Sequence, residues 1–324
     1  MSDAVVDHPT ETAASPGEAK GRSLMKRALD SDLFYSFRRS KLTMVATAIT
    51  ILFFLLAILA PLIAPQNPFD PAQLQLMNSR IPPLWYADGQ SPFLLGTDEQ
   101  GRDVLSAILY GLRISLMVGV LGVVFSGILG IALGLTAGYF GGVVDTAIMR
   151  VADVQLTFPA ILIALLVNGV AKSAFGNHLD PTSMLGVLVF AIGLSFWVQY
   201  ARTVRGSVLV EKNKDYVAAA QLIGLSAPVI MLRHVLPNTT GPVMVIATIN
   251  LALAIITEAT LSFLGSGMPQ TMPSLGTLIQ IGNNYLFSGE WWIIAFPGFA
   301  LAALILSINL LGDWLRDALN PKLR

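Results

Sequence analysis

Six long apolar runs, separated by polar segments, dominate the pattern of hydrophobic and polar positions along the chain. They extend over residues 42–64, 114–135, 143–170, 184–204, 242–265 and 291–311. Each has about 20 residues or more, and at about 1.5 Å per helical residue each can cross about 30 Å of hydrocarbon. The pattern therefore predicts an all-α integral membrane protein with six transmembrane helices.

The composition supports this class. Apolar residues make up 54% of the chain, charged residues 12%, and the mean hydropathy is +0.67, values far from those of a soluble domain. A cleavable signal peptide is the rival interpretation of the first run. A long polar stretch precedes that run, however, and the run exceeds the usual apolar core of about 7–15 residues, so we interpret it as a retained span.

The apolar runs divide the chain into five segments. These are an N-terminal tail (1–37), a first span (38–66), an outer loop (67–112), a core of five spans (113–312) and a C-terminal tail (313–324). Within the first tail, Leu29, Leu33, Phe34 and Phe37 recur at three- and four-residue steps. This spacing is equally typical of a short helix on the membrane surface and of an ordinary basic flank of the first span.

The distribution of basic residues predicts the orientation. Six spans place both termini on one side, and that side holds sixteen of the 20 Lys and Arg; only Arg80, Arg102, Arg113 and Lys172 fall on the other. Because cytoplasmic loops carry the excess of positive charge, we expect both termini to be cytoplasmic. The formal net charge of zero hides this asymmetry and gives no support for a nucleic-acid partner.

A short polar-flanked segment between the fourth and fifth spans, residues 215–237, has the pattern of a helical hairpin. Asp215 is a suitable N-cap for a helix through Leu222, and Gly224 suits the left-handed residue that ends such a helix. Pro228 then suits the first turn of a second helix, which Pro237 is expected to close. The 215–237 hairpin would lie in the cytoplasm, where it could dock a soluble partner.

The outer loop changes character along its length. Prolines at 65, 68, 71, 82, 83 and 92 exclude long regular helices from its first half. In the second half, Thr97 and Gln100 fit a capping box, and an apolar face from Val104 onward predicts a helix leading into the second span. Asp98 and Asp103 resemble part of a calcium loop, but their spacing is wrong and no later Glu completes it, so no metal site is expected.

Small residues recur at strict four-residue steps along the second span, at Gly122, Ser126, Gly130, Gly134 and Gly138. Lipid offers no hydrophobic gain when helices associate, so close van der Waals contact must supply the attraction. This small-residue ladder therefore predicts tight packing against another helix.

Few ionisable groups lie within the spans. Glu258 is well inside the fifth, where a charge costs about 2.5–3.5 kcal/mol, so it should face protein or water. It is a candidate for the translocation path or for a helix interface, together with Asn250 and Asp153. Asp153 and Arg150 lie about one turn apart, and we favour an ion pair between them.

Catalytic and nucleotide-binding motifs are absent from the sequence. It has no G-x-x-x-x-G-K-[ST] phosphate loop, no H-E-x-x-H and no G-x-G-x-x-G before a helix, and its three histidines are widely separated. No cofactor or enzymatic activity is expected of this chain. Six spans and a membrane carboxylate suit an ion-coupled secondary transporter, although such a carrier needs no cytoplasmic docking helix. An intramembrane enzyme is the other alternative, but the sequence lacks a nucleophile–base pair for it.

From about residue 38 to 324 the chain resembles the permease subunits of ATP-binding-cassette (ABC) importers, specifically the C-type subunit of dipeptide, oligopeptide and nickel systems. The resemblance rests on LGTDEQGRDVLS (95–106), Asp153 with Phe158-Pro159, the 215–237 hairpin, EATLSFLGSG (258–267) and LLGDWLRDALNP (310–321). It implies a type I importer bundle in a bacterial inner membrane.

The resemblance also implies a role for the hairpin, which is similar to the family's ATPase-coupling EAA loop. Within the coupling loop, 212–238, the candidate coupling residues are Asp215, Tyr216, Ala219, Ala220, Gly224, Leu225, Leu236 and Pro237. Ala218 stands where the family pattern has Glu, so shape rather than charge should carry the contact.

The implied partners are a second, B-type permease subunit, two ATPase subunits that bind ATP and Mg²⁺, an extracytoplasmic binding protein and the lipid bilayer. The implied cargo is a dipeptide or oligopeptide, with a nickel chelate or another small solute as the alternative.

Overall fold

The computed structural model describes residues 37–175 and 180–319. The description below concerns the compact unit Leu42–Arg324. Of the apolar pattern at Leu29, Leu33, Phe34 and Phe37, only Phe37 is among the described residues, so the choice between a surface helix and a basic flank stays open. The last five residues of the C-terminal tail also lie outside the described residues.

The described part of the chain is helical, without β-strands. In chain order the helices are α1 (Lys41–Ile63), α2 (Val104–Phe140), α3 (Gly142–Leu156), α4 (Ala160–Phe175), α5 (Pro181–Glu211), α6 (Asp215–Leu222), α7 (Ala227–Phe263), α8 (Leu275–Asn283) and α9 (Trp292–Leu319). Five of them, α1, α2, α5, α7 and α9, are long and apolar enough to cross a membrane, and α3 with α4 can form a sixth, broken span.

The third predicted span is the main departure from a set of straight helices. The apolar run 143–170 is two helices, α3 and α4, which meet at an angle of 92°. The break falls at Thr157, Phe158 and Pro159; proline has no N–H to donate and disfavours helical geometry in the residue before it. The expectation of one continuous helix was wrong because hydropathy alone does not register this interruption.

The start of α2 differs in detail from the capping prediction. Asp103, and not Thr97, is the N-cap, and its carboxylate accepts a hydrogen bond from the Ser106 N–H at 2.8 Å. The Thr97 hydroxyl instead binds within the outer loop, accepting from the Ile81 N–H at 2.8 Å. The predicted helix from Val104 into the second span is confirmed.

The outer loop is irregular, with 3₁₀ turns at Pro71–Gln73 and Leu76–Asn78. Asp98, considered above as a calcium ligand, accepts from the buried Arg102 Nε at 2.6 Å. Arg102 Nη1 donates to the Gln270 carbonyl at 2.8 Å. Arg102 thus joins this loop to the segment between α7 and α8.

The centre of the bundle is the pair α2 and α5, which pack along the small-residue ladder. A Cβ added at Gly130 would lie 2.5 Å from the Tyr200 Cβ, and one added at Gly138 would lie 2.7 Å from the Val208 Cβ. The two helices are therefore in contact at distances that admit no larger side chain at these positions.

Two features at the C-terminal side were not predicted. The short helix α8, capped by Ser274, packs among α2, α7 and α9, and its nine residues were too few to stand out as an apolar run. In addition, the predicted tail from residue 313 continues α9 as far as Leu319.

Candidate coupling hairpin and buried polar networks

The 215–237 hairpin is fixed on an apolar platform. Val217 and Ala220 of α6 are buried against side chains from the neighbouring helices. The platform cluster also contains Leu135 of α2, Val204 and Val208 of α5, and Ile230 and Val235 of α7. Three membrane helices thus converge on one face of a helix of only eight residues, which holds α6 firmly.

Tyr216 ties the two ends of the hairpin together. Its hydroxyl donates to the Glu211 carboxylate at the end of α5 at 2.6 Å and accepts from the Asn238 amide of α7 at 3.1 Å. Burial, and then the bond to Glu211, raise the pKa of the Tyr216 phenol above its ordinary value, so the hydroxyl keeps the proton that it donates. Lys214 adds a second bond to Glu211 at 2.6 Å.

The turn of the hairpin is the predicted glycine. Gly224 has φ of +81° and no atom within 4 Å of an added Cβ, so backbone geometry, and not crowding, favours glycine there. The Leu225 N–H donates to the Ala220 carbonyl at 3.1 Å, as in a Schellman turn.

Two details of the hairpin were predicted wrongly. Lys214 is the N-cap and Asp215 is the first residue of α6. At that position the negative charge of Asp215 still interacts favourably with the positive end of the helix dipole. Pro237 does not end the second helix, because α7 passes through it as far as Phe263. A π-helical turn at Ile230–Val235 precedes Pro237 and accommodates the ring, which would otherwise crowd the carbonyl four residues earlier.

The other candidate coupling residues lie along the same surface. Asp215, Ala219 and Pro237 are exposed, as is Ala218, whereas Leu225 and Leu236 are half-buried. The tip of the hairpin, Leu222 and Ile223, was not predicted as a contact site, although these side chains are 88% and 76% exposed. Two large apolar residues immediately before the turn glycine were a signal that could have identified them.

Glu258 lies at an interface of three helices. It is fully buried and accepts hydrogen bonds from the Ser115 hydroxyl of α2 at 2.8 Å and from Ser262 of α7 at 2.7 Å. Ser115 in turn accepts from the Leu275 N–H at the start of α8 at 3.2 Å. Among the described residues no basic side chain pairs with Glu258, so hydroxyl groups satisfy this carboxylate and connect α8 to the bundle.

Asn250 is likewise buried, and its amide lies beside the Tyr200 hydroxyl of α5 without a hydrogen bond of ordinary geometry to any described residue. It lies in α7 on the same helix as Glu258 but two turns away. The structure therefore does not bring the two side chains into one site.

Asp153 does not pair with Arg150, as was expected, but with Arg202 of α5 at 2.5 Å. Arg205, one turn further along α5, binds Asp145 of α3 through two nitrogens, with the Nη2–Oδ2 pair at 2.7 Å. The intrahelical prediction was wrong because sequence spacing shows neighbours on α3 alone, whereas α5 presents two guanidinium groups to it.

Two family profiles match the chain. "Binding-protein-dependent transport system inner membrane component" covers residues 130–324, and "N-terminal TM domain of oligopeptide transport permease C" covers 31–83. The chain belongs to the binding-protein-dependent transport permease family. The larger match includes the 215–237 hairpin, Glu258 and both ion pairs between α3 and α5.

Several curated relatives of this permease are similar over nearly their full length. The dipeptide transport system permease protein DppC of Haemophilus influenzae is 36% identical over 90% of this chain and 95% of its own. DppC of Escherichia coli is 40% identical over 90% and 93%, and the oligopeptide transport system permease protein OppC of Bacillus subtilis is 34% identical over 96% of both chains.

A solved structure has the same fold. An inward-facing MetNI methionine ABC transporter matches 66% of this permease and 96% of its own chain, with a TM-score of 0.51 and 18% identity. The helical bundle is thus that of an ABC importer permease. Permeases of this family act in the inner membrane with ATPase and binding-protein partners.

Proposed function

We propose that this permease is the C-type subunit of an ATP-driven importer of dipeptides or oligopeptides. It forms the translocation path with a second, B-type permease, and receives peptide from an extracytoplasmic binding protein. The names of the relatives, which match it over nine-tenths of its length, support this cargo. The profile over residues 31–83 supports the C-type assignment.

We assign the 215–237 hairpin the role of coupling transport to ATP hydrolysis, and the observation that supports this role is the exposed tip of the hairpin. Leu222 and Ile223 present apolar surface to solvent, while the opposite face of α6, with Val217 and Ala220, is packed on three membrane helices. Exposed apolar side chains on a rigid support are typical of a protein contact. Two ATPase subunits would contact the tips of the two permeases, and would bind the ATP and Mg²⁺; this chain itself binds no cofactor and catalyses no reaction.

A cysteine crosslink tests the coupling contact and the orientation together. The chain has no cysteine, so Leu222→Cys introduces a single thiol at the tip. In membranes containing the whole complex, we expect it to crosslink to an ATPase subunit. Met77→Cys is the matched control, because Met77 is 97% exposed in the outer loop and should not reach an ATPase. A crosslink from Met77 alone would overturn the proposed orientation.

Transport by reconstituted complexes tests the cargo and the energy source. We expect uptake of a labelled dipeptide that requires ATP and persists when an ionophore collapses ion gradients. Uptake that an ionophore abolishes would indicate an ion-coupled carrier instead. Uptake of a nickel chelate in preference to peptide would retain the ATP-driven mechanism but contradict the peptide assignment.

A further inference from the structure

A groove of about 300 Å³ lies between α1 and the first half of α2. On the α2 side Arg113, Leu116, Met117 and Val120 line it, at the three- and four-residue spacing of one helix face. On the α1 side it is lined by Phe54, Ala57 and Ile58. Six of these seven side chains are apolar, and the seventh carries a permanent positive charge.

Arg113 is at the polar end of this groove. It immediately precedes the apolar run that begins at Ile114, and it lies nine residues beyond the start of α2 in the outer loop, about 14 Å along the helix axis. Because α1 and α2 are consecutive spans of opposite direction, later residues of α1 lie toward the same side as earlier residues of α2, so Ala57 and Ile58 are nearer the Arg113 end of the groove than Phe54 is. The groove thus has a cation at its outer mouth and an apolar interior.

The Arg113 side chain is exposed, and no acidic side chain in the described ranges forms an ion pair with it. A guanidinium at the border of the hydrocarbon is costly unless an anion or water meets it. By contrast, Arg102, Arg202 and Arg205 each have a carboxylate partner. The guanidinium of Arg113 is therefore available to an anion from outside the described chain.

We propose that this groove binds a phospholipid of the outer leaflet, with its phosphate on the Arg113 guanidinium and an acyl chain along the apolar walls. The charged headgroup would lie at the Arg113 end of the groove, and the acyl chain would lie along its apolar walls. The phosphate already lies at the level of the membrane surface, so the ion pair requires no second charge to be carried into hydrocarbon.

Two other occupants fit less well. A peptide carries a donor and an acceptor on nearly every residue, and the groove offers one polar side chain to satisfy them. A carboxylate from a second permease would have to enter the edge of the hydrocarbon as a further ion, at its own desolvation cost. Lipid alone supplies the anion and the apolar tail together.

Native mass spectrometry of the purified importer complex, titrated with phosphatidylglycerol, tests the proposal. We expect Arg113→Gln to weaken the tightest lipid-binding event at least about tenfold, as expected for loss of a charge-assisted bond to phosphate. Diacylglycerol, which lacks the phosphate, should bind the wild type and Arg113→Gln equally weakly. Lys172→Gln is the matched control, because it removes one positive charge from the same side of the membrane at a residue outside the groove.

A second variant fills the groove without changing the charge. Ile58→Trp alters an exposed position, so folding should be unaffected, and it should reduce retention of the same lipid; Leu62→Trp, exposed on α1 but outside the groove, should not. Equal lipid binding by Arg113→Gln and wild type would overturn the proposal. So would an equal loss in Lys172→Gln, or a loss of the second permease from the complex with lipid binding unchanged.

Discussion

Two helices contact α5 in opposite ways. Along α2 the contact is made by backbone and small residues, and a methyl group added at Gly134 would lie 2.5 Å from the Ala201 carbonyl oxygen. Along α3 an apolar cluster around the buried Ala152 also packs on α5, but polar side chains make the specific links, through two ion pairs and through Gln155, whose amide oxygen accepts from Trp197 Nε1 at 2.6 Å.

The difference indicates which parts can move relative to each other. Packing at backbone distance allows one register, because any sliding of α2 past α5 would bring larger side chains into the ladder. Ion pairs made by long side chains tolerate reorientation, since the guanidinium can follow its carboxylate. We therefore expect α2 and α5 to move as one body with the hairpin that follows α5, while α3 changes its angle.

The largest expected effect comes from filling the ladder. Gly130→Ala should destabilise the permease by about 1–3 kcal/mol, the usual range for overpacking, because the new methyl group would meet the backbone and Tyr200 of α5. Gly169→Ala in α4 is the control: nothing lies within 4 Å of its added Cβ, and alanine favours a helix by about 1 kcal/mol over glycine. Thermal unfolding in detergent measures both; a Gly130→Ala variant as stable as Gly169→Ala would refute tight α2–α5 packing.

A smaller effect is expected from the more buried ion pair between α3 and α5. Arg205→Gln should cost about 1 kcal/mol, because the side chains of Arg205 and Asp145 are only 34% and 17% exposed and their bond is bidentate. Arg205→Lys keeps the charge but loses the paired geometry, and should fall between the wild type and Arg205→Gln in the same unfolding assay. Identical midpoints for all three proteins would show that this pair does not hold α3.

The smallest effect is expected at the exposed pair. Asp153 and Arg202 are 53% and 48% exposed, and pairs of this kind contribute at most about 0.5–1 kcal/mol. A double-mutant cycle of Asp153→Asn and Arg202→Gln should give a coupling free energy in this range, decreasing with added salt. A coupling free energy larger than that of the Asp145–Arg205 pair would contradict the expectation that the more buried pair contributes more to stability.

The sequence predicted those features that depend on local chemistry. Apolar run length identified the spanning helices, and the positive φ of Gly224 followed from its place after an alanine-rich helix. The bend at Pro159, the passage of α7 through Pro237 and the Asp153–Arg202 pair did not follow, because each depends on a neighbouring helix or on how a proline is accommodated. Leu222 and Ile223 were overlooked because exposure is a property of the fold and not of residue type.

Coupling between ATP hydrolysis and transport is the central claim, and Gly224 tests it most directly. Gly224→Val strains a left-handed turn that has ample space around it, whereas Gly206→Val changes an equally open helical glycine of α5 whose φ is not positive. The measurement is peptide imported per ATP hydrolysed by reconstituted complexes at equal membrane abundance. We expect complexes with Gly224→Val to hydrolyse ATP with little peptide uptake, and complexes with Gly206→Val to keep the wild-type ratio. A wild-type ratio for Gly224→Val would contradict coupling through the hairpin.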